Sequence, residues 1–208
     1  MVELSDRRWP AWLDLAQGLS GLLLVIFMWG HLFAVSSILL GKDAMYRVTK
    51  FFEGSLFFDE PQPWLVSLVA LGIFLIFTLH TLLALRKVPA GYRQWRAWWL
   101  HMRGMHHEET TLWMLQVLTG LVLMFFATAH LLELFMHPTY IGPHASALKI
   151  ASGGWLLGLV LLFSVEVHAG IGVYRLAAKW GWFGVEDNAL RRRRLRRFIY
   201  ALVVFFLL

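Results

Sequence analysis

Cysteine is absent from all 208 residues. The chain therefore carries no iron–sulfur cluster of its own and no C-x-x-C-H site for covalent haem; any redox centre must bind non-covalently, with histidine the natural ligand. Charge is also scarce, at 15% Asp, Glu, Lys and Arg against 59% hydrophobic residues. That balance excludes an ordinary soluble domain and fits an all-α bundle of membrane helices, one integral-membrane domain over residues 1–208. No secretory signal pattern opens the chain, because the residues through Asp14 are mixed polar and charged and no small-residue cleavage site follows. The net charge of +6 is concentrated in loops, which argues for membrane lipid and against nucleic acid as the partner.

Sixteen Phe and eleven Trp supply lipid-facing surface and interfacial belts. Four apolar runs are long enough to cross about 30 Å of hydrocarbon: Leu15 to Leu40, Trp64 to Leu85, Thr110 to Met136 and Ala151 to Ala178. A polar loop from Gly41 to Pro63 joins the first two. An interfacial segment rich in Arg, Trp and His runs from Val88 to Glu109, and a basic connector containing Arg191 to Arg194 follows the fourth span. The last apolar stretch, Phe198 to Leu208, is too short to cross alone and reads as the start of a fifth helix. No internal repeat stands out.

Fourteen of the nineteen Lys and Arg residues fall at the N-terminus and in the loops after the second and fourth spans, and a fifteenth, Arg175, sits at the inner end of the fourth span. By the positive-inside rule the N-terminus is cytoplasmic. Orientation gives each of four intramembrane histidines a depth. His31 and His130 lie toward the outer side and His80 and His168 toward the inner, at two levels about 15 Å apart. An imidazole in hydrocarbon is costly unless something pairs with it. Two histidines from facing helices at one level make an axial pair for a haem iron, so the chain is expected to hold two haems b. Gly30, Ala129, Ala169 and Gly170 flank these histidines and would let a flat porphyrin approach the backbone, although they equally suit bare helix packing. His101, His106, His107, His137 and His144 sit at loops or helix ends and read as solvated or interfacial.

The stretches G-H-L-F-A-V-S-S-I-L-L-G around His31, V-T-K-F-F-E ending at Glu53 and L-H-T-L-L-A-L-R-K from His80 carry a family likeness. So do H-E-E-T-T-L-W ending at Trp113 and V-E-V-H-A-G-I-G-V-Y-R-L-A-A-K-W-G-W around His168. Through them the chain resembles the dihaem cytochrome b subunit of bacterial quinol:fumarate reductase, the five-helix type of epsilon- and delta-proteobacteria. The resemblance implies distal haem ligation by His31 and His130 and proximal ligation by His80 and His168. It also implies propionate contacts from Gln17, Trp113 and Lys179, with Lys149 as a further distal candidate.

Two carboxylates gain roles from the same likeness. Position alone makes Glu53 a solvated loop acid, whereas the resemblance makes it the acceptor of quinol protons. Glu166 lies inside the fourth span and must be hydrogen-bonded or uncharged there; the resemblance places it on a transmembrane proton route, and a structural contact between helices is the other reading. Glu133 reads as interfacial. The implied activity is oxidation of menaquinol near the outer face of the bacterial inner membrane. Electrons would then pass through both haems to an iron–sulfur subunit and an FAD-containing flavoprotein subunit at the cytoplasmic face, where fumarate is reduced. The complex could run in reverse as succinate:quinone reductase, and a dimer of heterotrimers stays open. The cytochrome b subunit of a hydrogenase or formate dehydrogenase, or a haem-free proton channel, are the competing readings.

Overall fold

The computed structural model describes residues 8–105, 108–182 and 188–207, all helices and their connections, with no strand among them. Helix α1 covers Trp9–Val35 and runs into a 3₁₀ segment, Ser36–Leu40. Helix α2 (Lys42–Phe52), α3 (Trp64–Leu85), α4 (Tyr92–Met105) and α5 (Glu108–Met136) follow. The short α6 (Pro143–Lys149) meets α7 (Trp155–Trp180) through an irregular turn, Ile150–Gly154, and α8 (Asn188–Leu207) ends the described chain. Four stretches are long and apolar enough to cross a membrane: Trp9–Leu40, Trp64–Leu85, Glu108–Met136 and Pro143–Trp180.

Two expectations change. The loop from Gly41 to Pro63 contains a helix, α2. Its inward residues Met45 and Thr49 are spaced one turn apart, and Gly41, at φ 105°, supplies the turn that redirects the chain into it. The basic connector is also helical: α8 starts ten residues before Phe198, because arginine is a good helix former. His106 and His107 lie outside the described residues.

The chain divides into two compact units, one built from 1–22, 79–122 and 163–208, the other from 23–78 and 123–162. In the first, α8 packs on α7. Leu195, Ile199 and Val203 form an i, i+4, i+8 ridge that meets Tyr174 and Ala177. Gly170 is part of this seat, since a Cβ there would lie 2.5 Å from Val203 Cγ2. Of the two uses open to Gly170, porphyrin approach and helix packing, the structure shows the second, with α8 as the partner. Full burial of a side chain such as Ile199 contributes about 1.5–3 kcal/mol. The Tyr174 hydroxyl donates to Glu109, and Arg196 pairs with Glu108.

At the cationic end of this unit Asp14 gathers three partners. Lys87 Nζ lies 2.9 Å and Arg86 Nη2 3.6 Å from Asp14 Oδ1, while Lys179 Nζ lies 3.8 Å from Oδ2. One carboxylate of α1 thus holds the C-terminal ends of α3 and α7.

The second unit is joined by a Ser67 hydroxyl that donates to the Phe135 carbonyl at 2.9 Å, tying α3 to α5. Helix α2 approaches the N-terminus of α6 where Gly142 sits against Thr49. Gly153, at φ 96°, breaks the fourth span just after Lys149, and Lys149 reaches Glu133 on α5.

Candidate functional site: two histidine pairs and a carboxylate cleft

The first unit brings His80 of α3 and His168 of α7 together, with ring centroids 6.4 Å apart and planes at 85°. The second brings His31 of α1 to His130 of α5, again at 6.4 Å, with planes at 59°. A metal ion bound through one nitrogen of each ring at about 2 Å would separate the centroids by about 6 Å. No cluster of three or more His, Cys, Asp or Glu residues suited to a metal occurs among the described residues. A metal held between two imidazoles here needs its remaining donors from a ligand of its own, and a porphyrin brings four.

The His80 and His168 rings are fixed from behind. His80 Nδ1 lies 3.2 Å from the Gln17 carbonyl and 3.2 Å from Ser20 Oγ. His168 Nδ1 lies 2.9 Å from the Gln116 carbonyl and 3.4 Å from Thr119 Oγ1. A carbonyl only accepts, so Nδ1 carries the proton in each ring and Nε2 presents its lone pair away from the helix behind it. Glycine makes the approach possible: a Cβ at Gly21 would sit 2.8 Å from His80 Cε1, and one at Gly120 2.9 Å from His168 Cε1.

These contacts expose a repeat that was not evident in the linear sequence. Gln17, Leu19, Gly21, Leu22, Leu24, Phe27 and His31 in α1 match Gln116, Leu118, Gly120, Leu121, Leu123, Phe126 and His130 in α5, with Ser20 opposite Thr119. Each glutamine precedes its histidine by fourteen residues. In both halves a short helix then follows behind a positive-φ glycine, Gly41 before α2 and Gly142 before α6. The signal in the sequence is Q-x-x-[S/T]-G, at 17–21 and 116–120.

The remaining expected residues fall as follows. Gln17 Oε1 is buried without a hydrogen-bond partner, an amide end suited to a polar group such as a propionate. Trp113 packs edge-on against Trp98 at 4.8 Å, and the two share an open cleft with His101, Glu109 and Thr110. Lys179 is exposed and faces Asp14. Lys149 is paired with Glu133. Beside Gly30 a Cβ would meet nothing within 4 Å, so that face has room for a ligand. Glu166, on α7 two residues before His168, is 0% exposed.

Glu53 is not the solvated acid its loop position suggested. It caps α2 and is 5% exposed. Its Oε2 accepts from Lys50 Nζ at 2.6 Å, and its backbone carbonyl accepts from Gln62 N at 2.8 Å. That hydrogen bond holds the Lys50 ammonium above the usual lysine range. Lys50 also lies 5.3 Å over the Tyr46 ring. Together these side chains line a cleft of about 400 Å³ with Pro61, Pro63, Ile141 and an exposed His144. The cleft has apolar walls and one buried carboxylate, the character of a site for a largely apolar ligand with a polar hydroxyl. His144 is exposed at the mouth of this cleft, as its place at a helix end suggests, and Gly142-Pro143 precede it at the start of α6.

Known proteins are similar to this chain in sequence. Residues 92–208 match the succinate dehydrogenase/fumarate reductase transmembrane subunit family. The fumarate reductase cytochrome b subunit of Helicobacter pylori strain 26695 is 47% identical over 197 residues, which is 94% of this chain and 75% of that protein. The protein of the same name from Wolinella succinogenes is 43% identical over 196 residues, 94% of this chain and 77% of that protein. With more than half of its length matched by the family and nearly all of it aligned to these relatives, the chain belongs to the succinate dehydrogenase/fumarate reductase transmembrane subunits.

Proposed function

We propose that this chain is the membrane anchor and electron conduit of a fumarate reductase, oxidising menaquinol and serving an iron–sulfur subunit and a flavoprotein subunit. The observation that carries the reading is the double histidine pair, each with ring centroids 6.4 Å apart, in a chain related to named cytochrome b subunits. His31 with His130, and His80 with His168, are the residues that would hold a distal and a proximal haem b. Haems bound there would supply the one-electron steps that link a two-electron quinol to the soluble redox centres. Gln17, Trp113 and Lys179 are the proposed contacts of the proximal propionates, and Lys149 stands near the distal pair through Glu133.

Glu53 is the proposed proton acceptor. Menaquinol loses two electrons and two protons; the buried carboxylate takes a hydroxyl proton within the cleft, and Lys50 holds it oriented from 2.6 Å. Positive-inside asymmetry puts the N-terminus in the cytoplasm of a bacterial inner membrane, so protons taken by Glu53 leave to the outer side. Glu166 is the proposed intramembrane proton carrier, since a carboxyl wholly inside a protein costs several kcal/mol to ionise without compensation and so exchanges its proton with charge changes nearby. Glu166→Gln should slow menaquinol-driven fumarate reduction at least tenfold and leave haem content unchanged; full turnover in membrane vesicles would remove Glu166 from the route. The relatives' names favour fumarate reduction over the reverse direction.

The reading as a whole is tested by a reduced-minus-oxidised spectrum of the purified complex with a haem assay. Two haems b per chain are expected. None would favour a proton channel, and a single haem would break the conduit.

A further inference from the structure

The repeated Q-x-x-[S/T]-G segments do more than admit an imidazole. In the first, Ser20 Oγ donates to Gln17 O at 3.1 Å; in the second, Thr119 Oγ1 donates to Leu115 O at 2.8 Å and also lies 3.1 Å from Gln116 O. The carbonyl of Gln17 or Gln116, together with the hydroxyl oxygen, faces the Nδ1–H of a histidine on another helix. The imidazole proton therefore meets two acceptors set side by side, while the ring edge rests where Gly21 or Gly120 lacks a Cβ.

One acceptor fixes which nitrogen is protonated but leaves the ring able to swing about the axis through Nε2. A second acceptor beside it, with the helix backbone against Cε1, defines a plane. The two planes so defined stand at 85°. Among the described residues neither ring nitrogen of His31 or His130 has a hydrogen-bond partner. His31 instead stacks on Phe27, with ring centroids 5.9 Å apart, and that pair of histidines stands at 59°.

We propose that Ser20 and Thr119 are a matched pair of positioning residues that hold the planes of His80 and His168 perpendicular across the proximal haem. This rests on the ligation proposed above. The plane angle has an electronic consequence. In low-spin ferric haem each imidazole donates π-density into the iron orbital that its plane selects. Perpendicular rings act on both orbitals of the dxz, dyz pair and keep them nearly degenerate, and parallel rings split them. Near-degeneracy appears as a large maximal g value in electron paramagnetic resonance.

The test uses the intact complex, oxidised, with the signal that disappears in His80→Ala defining the proximal haem. Ser20→Ala and Thr119→Val should each lower the maximal g value of that signal while the distal signal stays in place. The conservative variants Ser20→Thr and Thr119→Ser should keep the wild-type value. An unmoved proximal signal in both Ser20→Ala and Thr119→Val would overturn the proposal. So would an equal shift of the distal signal, or a Ser20→Thr spectrum as displaced as that of Ser20→Ala. If Ser20→Ala does not retain haem, Thr119→Val, which keeps the side-chain volume, decides alone. Should His80→Ala leave both haem signals standing, the failure belongs to the ligation of His80 and not to the hydroxyl pair.

Discussion

His168→Ala should halve the haem b content of the complex and reduce menaquinol-driven fumarate reduction to background. His168 is the better anchored of the proximal pair, with Nδ1 2.9 Å from the Gln116 carbonyl, so its Nε2 is presented rigidly to the space shared with His80. Removing the ring leaves His80 as the only imidazole on that site, and a haem held from one side is displaced by detergent or water. His31 and His130 belong to the other unit and pair with each other. The distal haem should therefore remain, with its own midpoint potential. Fumarate reduction by a soluble dye should persist, because that donor bypasses the membrane chain. Redox titration of the α-band reads the outcome directly: one component instead of two. Two components of normal amplitude would disprove the proximal assignment.

Glu53→Gln should leave both haems in place and lower menaquinol oxidation by about 100-fold or more, the scale expected when a positioned general base is lost. Glutamine fills the volume of glutamate and can still meet Lys50, but it cannot take a proton. The site is 5% exposed, so water does not readily substitute. The pH dependence is set on one side by Lys50, whose ammonium is held above its ordinary value by the Glu53 carboxylate. A raised value means the ion pair is fully present below the ordinary lysine range and is lost as pH rises through the elevated one. The Lys50 ammonium should accordingly stay charged across neutral pH. Steady-state assays with a menaquinol analogue, beside soluble-dye assays of the same preparation, separate loss of quinol chemistry from general damage; unimpaired quinol turnover would exclude Glu53 as acceptor.

Much of this arrangement is legible in the chain because hydrocarbon imposes simple rules. Trp64–Leu85 is bounded as the sequence suggests, since Pro63 and Arg86 punctuate an uninterrupted apolar run. The adjacency of His31 with His130, and of His80 with His168, follows from depth alone. What escaped depended on relations between distant segments. Helix α2 looked like a polar loop because only Met45 and Thr49 turn inward. Gly170 suits a porphyrin or a packed helix equally in the sequence, and only the position of α8 decides between them. Gly21 and Gly120 carry no meaning until His80 and His168 arrive from other helices. Small residues state that something comes close; they do not state what.

The clasp at Asp14 bears on how the chain reaches its final state. Asp14 emerges from the ribosome early, its partners Arg86 and Lys87 after the second span and Lys179 only after the fourth. Until then one carboxylate waits at the membrane surface without its full set of counter-charges. The latch closes last. A chain ending just before Lys179 would keep the tie of Asp14 to Arg86 and Lys87 and the contacts of α7 with α5 through His168 and Tyr174, and would lack only the third arm of the clasp.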